Sequence, residues 1–174
     1  MTRLRRLLAA KDGTAVTELA FVAPILAVLA AGVIDISTAY SRKLALEQGA
    51  QRAIEKIMQT TDDDTVEGTL VSEAVCQVNG MKADGTCNPT PITAANVTVT
   101  YKRTCRTPSG ALGGQQTNTN PDALDALSCP SSAPVQNRFI DVTIVDNFQG
   151  IFIHKFWGNQ NVFQINASAG MRTL

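Results

Sequence analysis

One stretch decides the fold of this chain: GTAVTELAFVAPILAVLAAGVI, residues 13–34. Glu18 is its single charged residue, and residues 19–34 carry no charge at all. A lone carboxylate at the start of an apolar helix is costly in a membrane, so we expect Glu18 to have a partner or a role.

A basic leader precedes this stretch and predicts its orientation. Residues 1–13 carry a net charge of +3, so the rest of the chain carries −3. Because Lys and Arg stay on the cytoplasmic side of a membrane, we expect a cytoplasmic N-terminus and an outer location for everything beyond about residue 36. The remainder has no basic patch long enough to predict nucleic-acid binding.

The uncharged run is short for a membrane span, which needs roughly 17–25 residues. Residues 14–36 are long enough if Glu18 and Asp35 lie at the two interfaces. A cleaved signal peptide is an alternative, because a basic start and an apolar core also fit one. The retained helix is favoured because Glu18 precedes the apolar core and the helical pattern continues beyond it.

The helical pattern runs from Thr14 to about Thr60, and residues 37–60 form its amphipathic continuation. The predicted apolar face comprises Ile36, Tyr40, Leu44 or Leu46, Ala50, Ile54 and Ile57. Pro24 lies inside the helix and has no N–H for the carbonyl of Ala20, which predicts a kink. Prolines are also simply tolerated in membrane helices, so the functional meaning of a kink stays open.

Residues 61–174 are predicted to form an outer α+β domain. Asp64 is expected to cap a short helix over residues 65–76, and the acidic run around it lacks the spacing of a calcium loop. Alternating residues predict three strands over 97–101, 138–145 and 162–171. These strands form a small antiparallel sheet packed on the amphipathic helix. Residues 107–137 are predicted to form a long loop.

Cys76, Cys87, Cys105 and Cys129 all follow the apolar stretch. They are widely spaced, and the single histidine, His154, is far from them in sequence, so we expect no metal site and no cofactor. Two disulfides are expected outside the cytoplasm. Of three possible connectivities we favour Cys76–Cys87 and Cys105–Cys129, each stabilising the fold by roughly 3 kcal/mol.

The sequence predicts no active site. No nucleophile motif or phosphate loop accompanies His154, so we expect a protein that is not an enzyme. The aromatic segment around this histidine, residues 151–157, is expected to be a packing or contact surface.

Gly13, followed by Glu18 and an uncharged helix, is the recognition pattern of prepilin peptidases. The segment DGTAVTELAFVAPILAVLAAGVIDIS closely resembles the N-terminus of TadE-like proteins, the minor pilins (pseudopilins) of tight-adherence pilus systems. The closing ASAGMR, residues 167–172, is similar to the C-terminus of that family. The resemblance implies a pilin-like fold in which the outer domain, residues 61–174, stands on the long helix.

The resemblance also implies processing and partners. Prepilin peptidase would cleave after Gly13 and leave Thr14 as the new N-terminus, whose amine, or that of a neighbouring subunit, Glu18 would meet. Further implied partners are other minor and major pilins, an inner-membrane assembly platform and membrane lipid. The implied location is the bacterial inner membrane with a periplasmic C-terminal domain. Incorporation into an extracellular pilus and a role only in starting assembly both stay open.

Two departures favour a minor subunit over the main fibre subunit. Thr14 replaces the phenylalanine usual at the new N-terminus of type IV pilins, and Leu19 replaces the tyrosine of short major pilins. The alternative hypothesis is an uncleaved single-pass anchor whose outer domain binds a ligand through the loop 107–137. An exported enzyme is the third and weakest hypothesis.

Overall fold

The computed structural model describes residues 12–59, 68–126, 128–150 and 162–173, with residues 12–15, 125 and 162 described by their backbone alone. Three sequence predictions lie outside the described residues. They are the leader over 1–11, the cap at Asp64 and the contact surface at 151–157.

A single 48-residue helix, α1 (Asp12–Gln59), confirms the predicted long helix. Pro24 lies within it. Lys56 in the last turn places a cation near the helix C-terminus, where the partial charge of the backbone carbonyls is negative. The chain divides into two compact units: residues up to Ala39 with Gln149–Val162, and Tyr40–Phe148 with the chain from Phe163 onward.

The second unit contains the hydrophobic core, and the second half of α1 contributes one helical face to it. The buried residues of this face are Leu46, Ala50, Ala53, Ile54 and Ile57. Leu46, rather than Leu44, is the core residue of the two alternatives in the sequence pattern. Ile36 and Tyr40 were expected on this face, but they are 68% and 64% exposed.

A short helix, α2 (Leu70–Asn79), packs against this face through Leu70 and Ala74. The predicted bounds of 65–76 are wrong, because α2 begins after Thr69 and ends at Asn79. Gly80 caps it, with a φ of 78° that suits glycine. Gly49 of α1 lies at the closest approach to α2, so an added Cβ would lie 3.1 Å from the carbonyl oxygen of Ala74.

Four strands form an antiparallel sheet, and three of them were predicted. The strands are β1 (Val97–Arg106), β2 (Leu112–Asn118), β3 (Val135–Gln149) and β4 (Val162–Arg172), in the order β2-β1-β3-β4. A 3-10 turn, Ala94–Asn96, leads into β1. Cross-strand pairs such as Val97 with Ile144 and Tyr101 with Ile140 direct their apolar side chains into the core beneath α1.

The prediction of one long loop over 107–137 is wrong. It contains β2, which pairs with β1, and a short helix, α3 (Pro121–Asp125), whose N-cap Asn120 accepts a hydrogen bond from the backbone N–H of Asp122 at 3.0 Å. The residues of β2, LGGQQTN, are nearly all exposed and show no apolar alternation. Sequence patterns detect a strand by burial of one face, so an exposed strand of this kind escapes them.

Candidate functional site

The first half of α1 presents large apolar side chains on all sides. From Val16 on, the helix is long and apolar enough, by length and composition, to cross a bilayer. The residues most exposed here are Val16, Leu19, Phe21, Ile25, Val28, Leu29 and Val33, each more than 60% exposed. Burial of each such side chain is favourable by roughly 1.5–3 kcal/mol, so this surface is suited to contact with lipid or protein.

Glu18 lies on this apolar helix one turn after Thr14 and is exposed. No hydrogen bond or ion pair reaches its carboxylate from the described residues. A carboxylate at the start of an apolar segment that has no partner among the described residues can accept a cation from a neighbouring molecule.

The apolar segment ends at Asp35, the predicted far interface, and the structure shows this carboxylate to be 2% exposed. Gly150 lies against it, and a Cβ added there would be 2.9 Å from Asp35 Oδ2. One turn later, the Thr38 hydroxyl donates to the carbonyl oxygens of Ile34 and Asp35 at 3.0 and 2.9 Å. The C-terminal end of the apolar segment is therefore marked by packed polar groups around Asp35.

The second half of α1 is fixed in its unit by ion pairs as well as by the core. Arg42 Nε donates to Asp146 Oδ2 on β3 at 2.7 Å, and both side chains are largely buried. Lys56 Nζ donates to Glu73 Oε2 on α2 at 2.9 Å, and Arg52 lies 3.5 Å from the other oxygen. The hydrogen bond from Lys56, with the nearby positive charges, holds the pKa of Glu73 below its ordinary value.

Both cysteine pairs lie at disulfide distance, in the pairing that the sequence favoured. Cys76–Cys87 has a Cα–Cα distance of 4.9 Å and ties the end of α2 to the following loop. Cys105–Cys129 has a Cα–Cα distance of 5.6 Å and closes the segment that contains β2 and α3. This second bridge therefore fixes the edge of the sheet.

Two residues before Cys105 on β1 lies a buried cation, Arg103. Its guanidinium donates to the carbonyl oxygen of Leu124 at 2.7 Å and to Gln136 Oε1. These bonds connect β1 to α3 and β3, so Arg103 stabilises the position of the disulfide-closed segment against the sheet.

The predicted site residues do not converge on one cleft. Gly13, Thr14, Glu18 and Pro24 follow one another along α1, and the cysteines lie in the second unit. No cluster of potential metal ligands occurs within the described part of the chain. The arrangement is that of a surface along a helix, suited to association.

Sequence reasoning missed two polar features of α1. One is the burial of Asp35, and the other is the ion pair of Arg42 with Asp146. A seven-residue spacing places Asp35, Arg42 and Gly49 on nearly the same side of the helix as the core residues. The same periodicity that identified the apolar face could therefore have identified them as inward-facing.

Comparison with known families yields one match. A family model described as TadE-like protein matches residues 13–54, the apolar half of α1 and most of its core-facing half. This match confirms the resemblance to TadE-like proteins seen in the sequence, over 42 of the 174 residues. No curated protein and no solved structure was found to match the chain.

Proposed function

We propose that this protein is a minor pilin, or pseudopilin, that helps to assemble a tight-adherence pilus. It is a structural protein and not an enzyme. The observation that carries the proposal is the family match over a helix whose apolar half is exposed on all sides. This half contains one carboxylate, Glu18, for which the described residues supply no partner. A helix of that kind is suited to lipid first and to neighbouring helices afterwards.

In this mechanism prepilin peptidase cleaves after Gly13 on the cytoplasmic face and frees the amine of Thr14. Residues 19–34 then hold the chain in the inner membrane, with the second unit in the periplasm. Glu18 sets the register of packing by pairing with a free amine, because a carboxylate in an apolar surrounding is tolerated only when a cation compensates it. Other pilins and the assembly platform supply the neighbouring surfaces.

The N-terminal peptide of the protein from its own cell envelope tests the processing step. Mass spectrometry is expected to find Thr14 at the terminus, and a Gly13→Ala variant is expected to retain the leader. A terminus at residue 1 or 2 would instead support the uncleaved anchor with a binding domain. A terminus beyond about residue 30 would indicate an ordinary secreted protein.

The role of Glu18 is tested by Glu18→Ala, which is expected to be processed but to fail in assembly. Glu47→Ala is the matched control, because Glu47 is also a partly exposed carboxylate of α1 and lies outside the apolar half. Pili counted by electron microscopy should be lost in the first variant and retained in the second. Normal piliation with Glu18→Ala would contradict the register mechanism.

A further inference from the structure

The sheet of the second unit has β2 at one edge, and Gly113 near the start of this strand lies against Ala133. Residues 112–118 are nearly all exposed, and in the described part of the chain they take no part in backbone hydrogen bonds outside the strands. The strand contains no charged residue and no proline. Charges, prolines and covering segments are the features that usually protect an edge strand from pairing with another chain.

The opposite edge of the sheet is β4, which has no further strand beside it among the described residues. Its inner side follows β3, and just beyond the strand Thr173 N donates to Arg138 O at 2.9 Å. Among the described residues of β4, only Arg172, at its end, is charged, and Phe163, at its start, is 51% exposed. In the described part of the chain no further strand pairs with the outer side of β2 or β4, and such an edge can accept the backbone of another extended strand.

The strand directions determine which strand fits. Each strand of the sheet runs antiparallel to its neighbour, and the number of strands is even, so β2 and β4 run in opposite directions. A second copy moved along the sheet without reversal therefore brings its β4 antiparallel to β2. We propose that β2 of one chain pairs with β4 of the next, head to tail, so that copies share a continuous sheet.

Symmetry argues against the other simple choice, pairing of β2 with β2 of a second copy. Two adjacent antiparallel strands of identical chains are related by a two-fold axis normal to the sheet. The second half of α1 packs on the face of the sheet, so such an axis reverses its direction in the second copy. This helix half continues into the apolar half, and chains anchored in one bilayer need parallel helices.

The Cys105–Cys129 bridge prepares β2 for this contact. The bridge closes the segment that carries the strand, and β1 pairs with β2 from Tyr101 to Arg106. The strand is thus held extended before a partner arrives, which lowers the entropic cost of pairing. The head-to-tail contact is heterologous, so it does not close on two copies and can continue along a row.

The inference rests on the proposed function in one respect, the anchoring of several copies in one membrane. A single pair of short strands buries little surface, and small interfaces of this kind are weak between free molecules. Chains confined to one bilayer have a high effective concentration, which makes a weak contact sufficient.

Cysteine cross-linking of the full-length chain in membranes tests the pairing. Gln115 lies opposite Thr104 on the face of the sheet away from Tyr101, and Ser168 alternates with the buried Ala167. A chain with Gln115→Cys and Ser168→Cys, or with Asn166→Cys as the second site, is expected to give a ladder of dimers, trimers and higher species on mild oxidation. Peptide mapping checks that the native disulfides are retained.

The controls separate the outcomes. Gln116→Cys with Ser168→Cys places the thiols on opposite faces and should give no ladder, and Gln115→Cys alone should stay monomeric. Dimers from Gln115→Cys alone would show self-pairing of β2 and overturn the proposal, as would a missing ladder with both second sites. Piliation is scored in the same strains: pili without a ladder refute the shared sheet, whereas a ladder without pili refutes the pilus role.

Discussion

Gly49 offers the sharpest test of how α1 is packed in the second unit. A Cβ added at this position would lie 3.1 Å from the carbonyl oxygen of Ala74 and 3.2 Å from Ile144 Cδ1, and still closer to Val78 Cγ2. The two nearer atoms belong to α2, so this helix has to move. Gly49→Ala therefore combines overpacking, about 1–3 kcal/mol of destabilisation, with a gain in helix propensity of about 1 kcal/mol.

The expected net effect of Gly49→Ala is a loss of about 1 kcal/mol, or roughly 2–4 °C in the melting temperature of a chain of this size. Gly49→Leu should destabilise the second unit by more than the alanine variant, because a larger side chain enters the same space. Circular dichroism of the full chain in detergent, followed against denaturant, measures the stability of both variants.

The matched control is Gly32→Ala, because an added Cβ at Gly32 on the same helix meets nothing within 4 Å. That variant should be as stable as the parent chain or slightly more stable. A Gly49→Ala variant that equals or exceeds the parent chain in stability would refute the close contact of α1 with α2.

Three further results are expected. Since the hydrogen bond from Lys56 lowers the pKa of Glu73, the stability that this bond adds is fully present above the ordinary value of 4.5 and is lost as the pH falls through the lower folded value. Glu73→Gln should thus remove a pH-dependent part of at most about 1 kcal/mol from the denaturant midpoints, and an unchanged pH profile would contradict the contact. Replacing Cys105 and Cys129 together by serine should cost about 3 kcal/mol and expose residues 112–118 to proteolysis; an uncleaved segment would show that β2 folds without the bridge. Gly170→Val should destabilise the sheet by about 1 kcal/mol or more in thermal unfolding, because an added Cβ at Gly170 on β4 meets the Asp141 carboxylate on β3, and an unchanged melting temperature would contradict this close approach.

The sequence predicted those parts of the fold that bury a regular face. The helix over 12–59 and the strands around Val142 and Ala167 follow from apolar periodicity, since each has one side in the core. The two disulfide pairs follow from the order of the elements that they connect, because each joins neighbouring segments of chain.

The remaining features were not predicted, because they are stabilised by groups that leave no periodic pattern of apolar residues in the sequence. The β2 strand is held by backbone hydrogen bonds and a disulfide, and its side chains are exposed. The bounds of the core face were misjudged at Tyr40 and Leu44, because an apolar residue on a helix can face lipid or a partner as well as a core. For the candidate site, the motif identified Glu18, whereas the burial of Asp35 depends on contacts distant in sequence.

The side chains that α1 contributes to the core begin at Leu46, although the helix itself begins at Asp12. Substitutions before Tyr40 therefore leave the core composition of the second unit intact, and substitutions after it leave the apolar half intact. Natural selection can change the two halves of one helix separately, as interchangeable modules. A chimaera that joins the apolar half of a related protein to this chain at Tyr40 should keep the folded outer unit of this one.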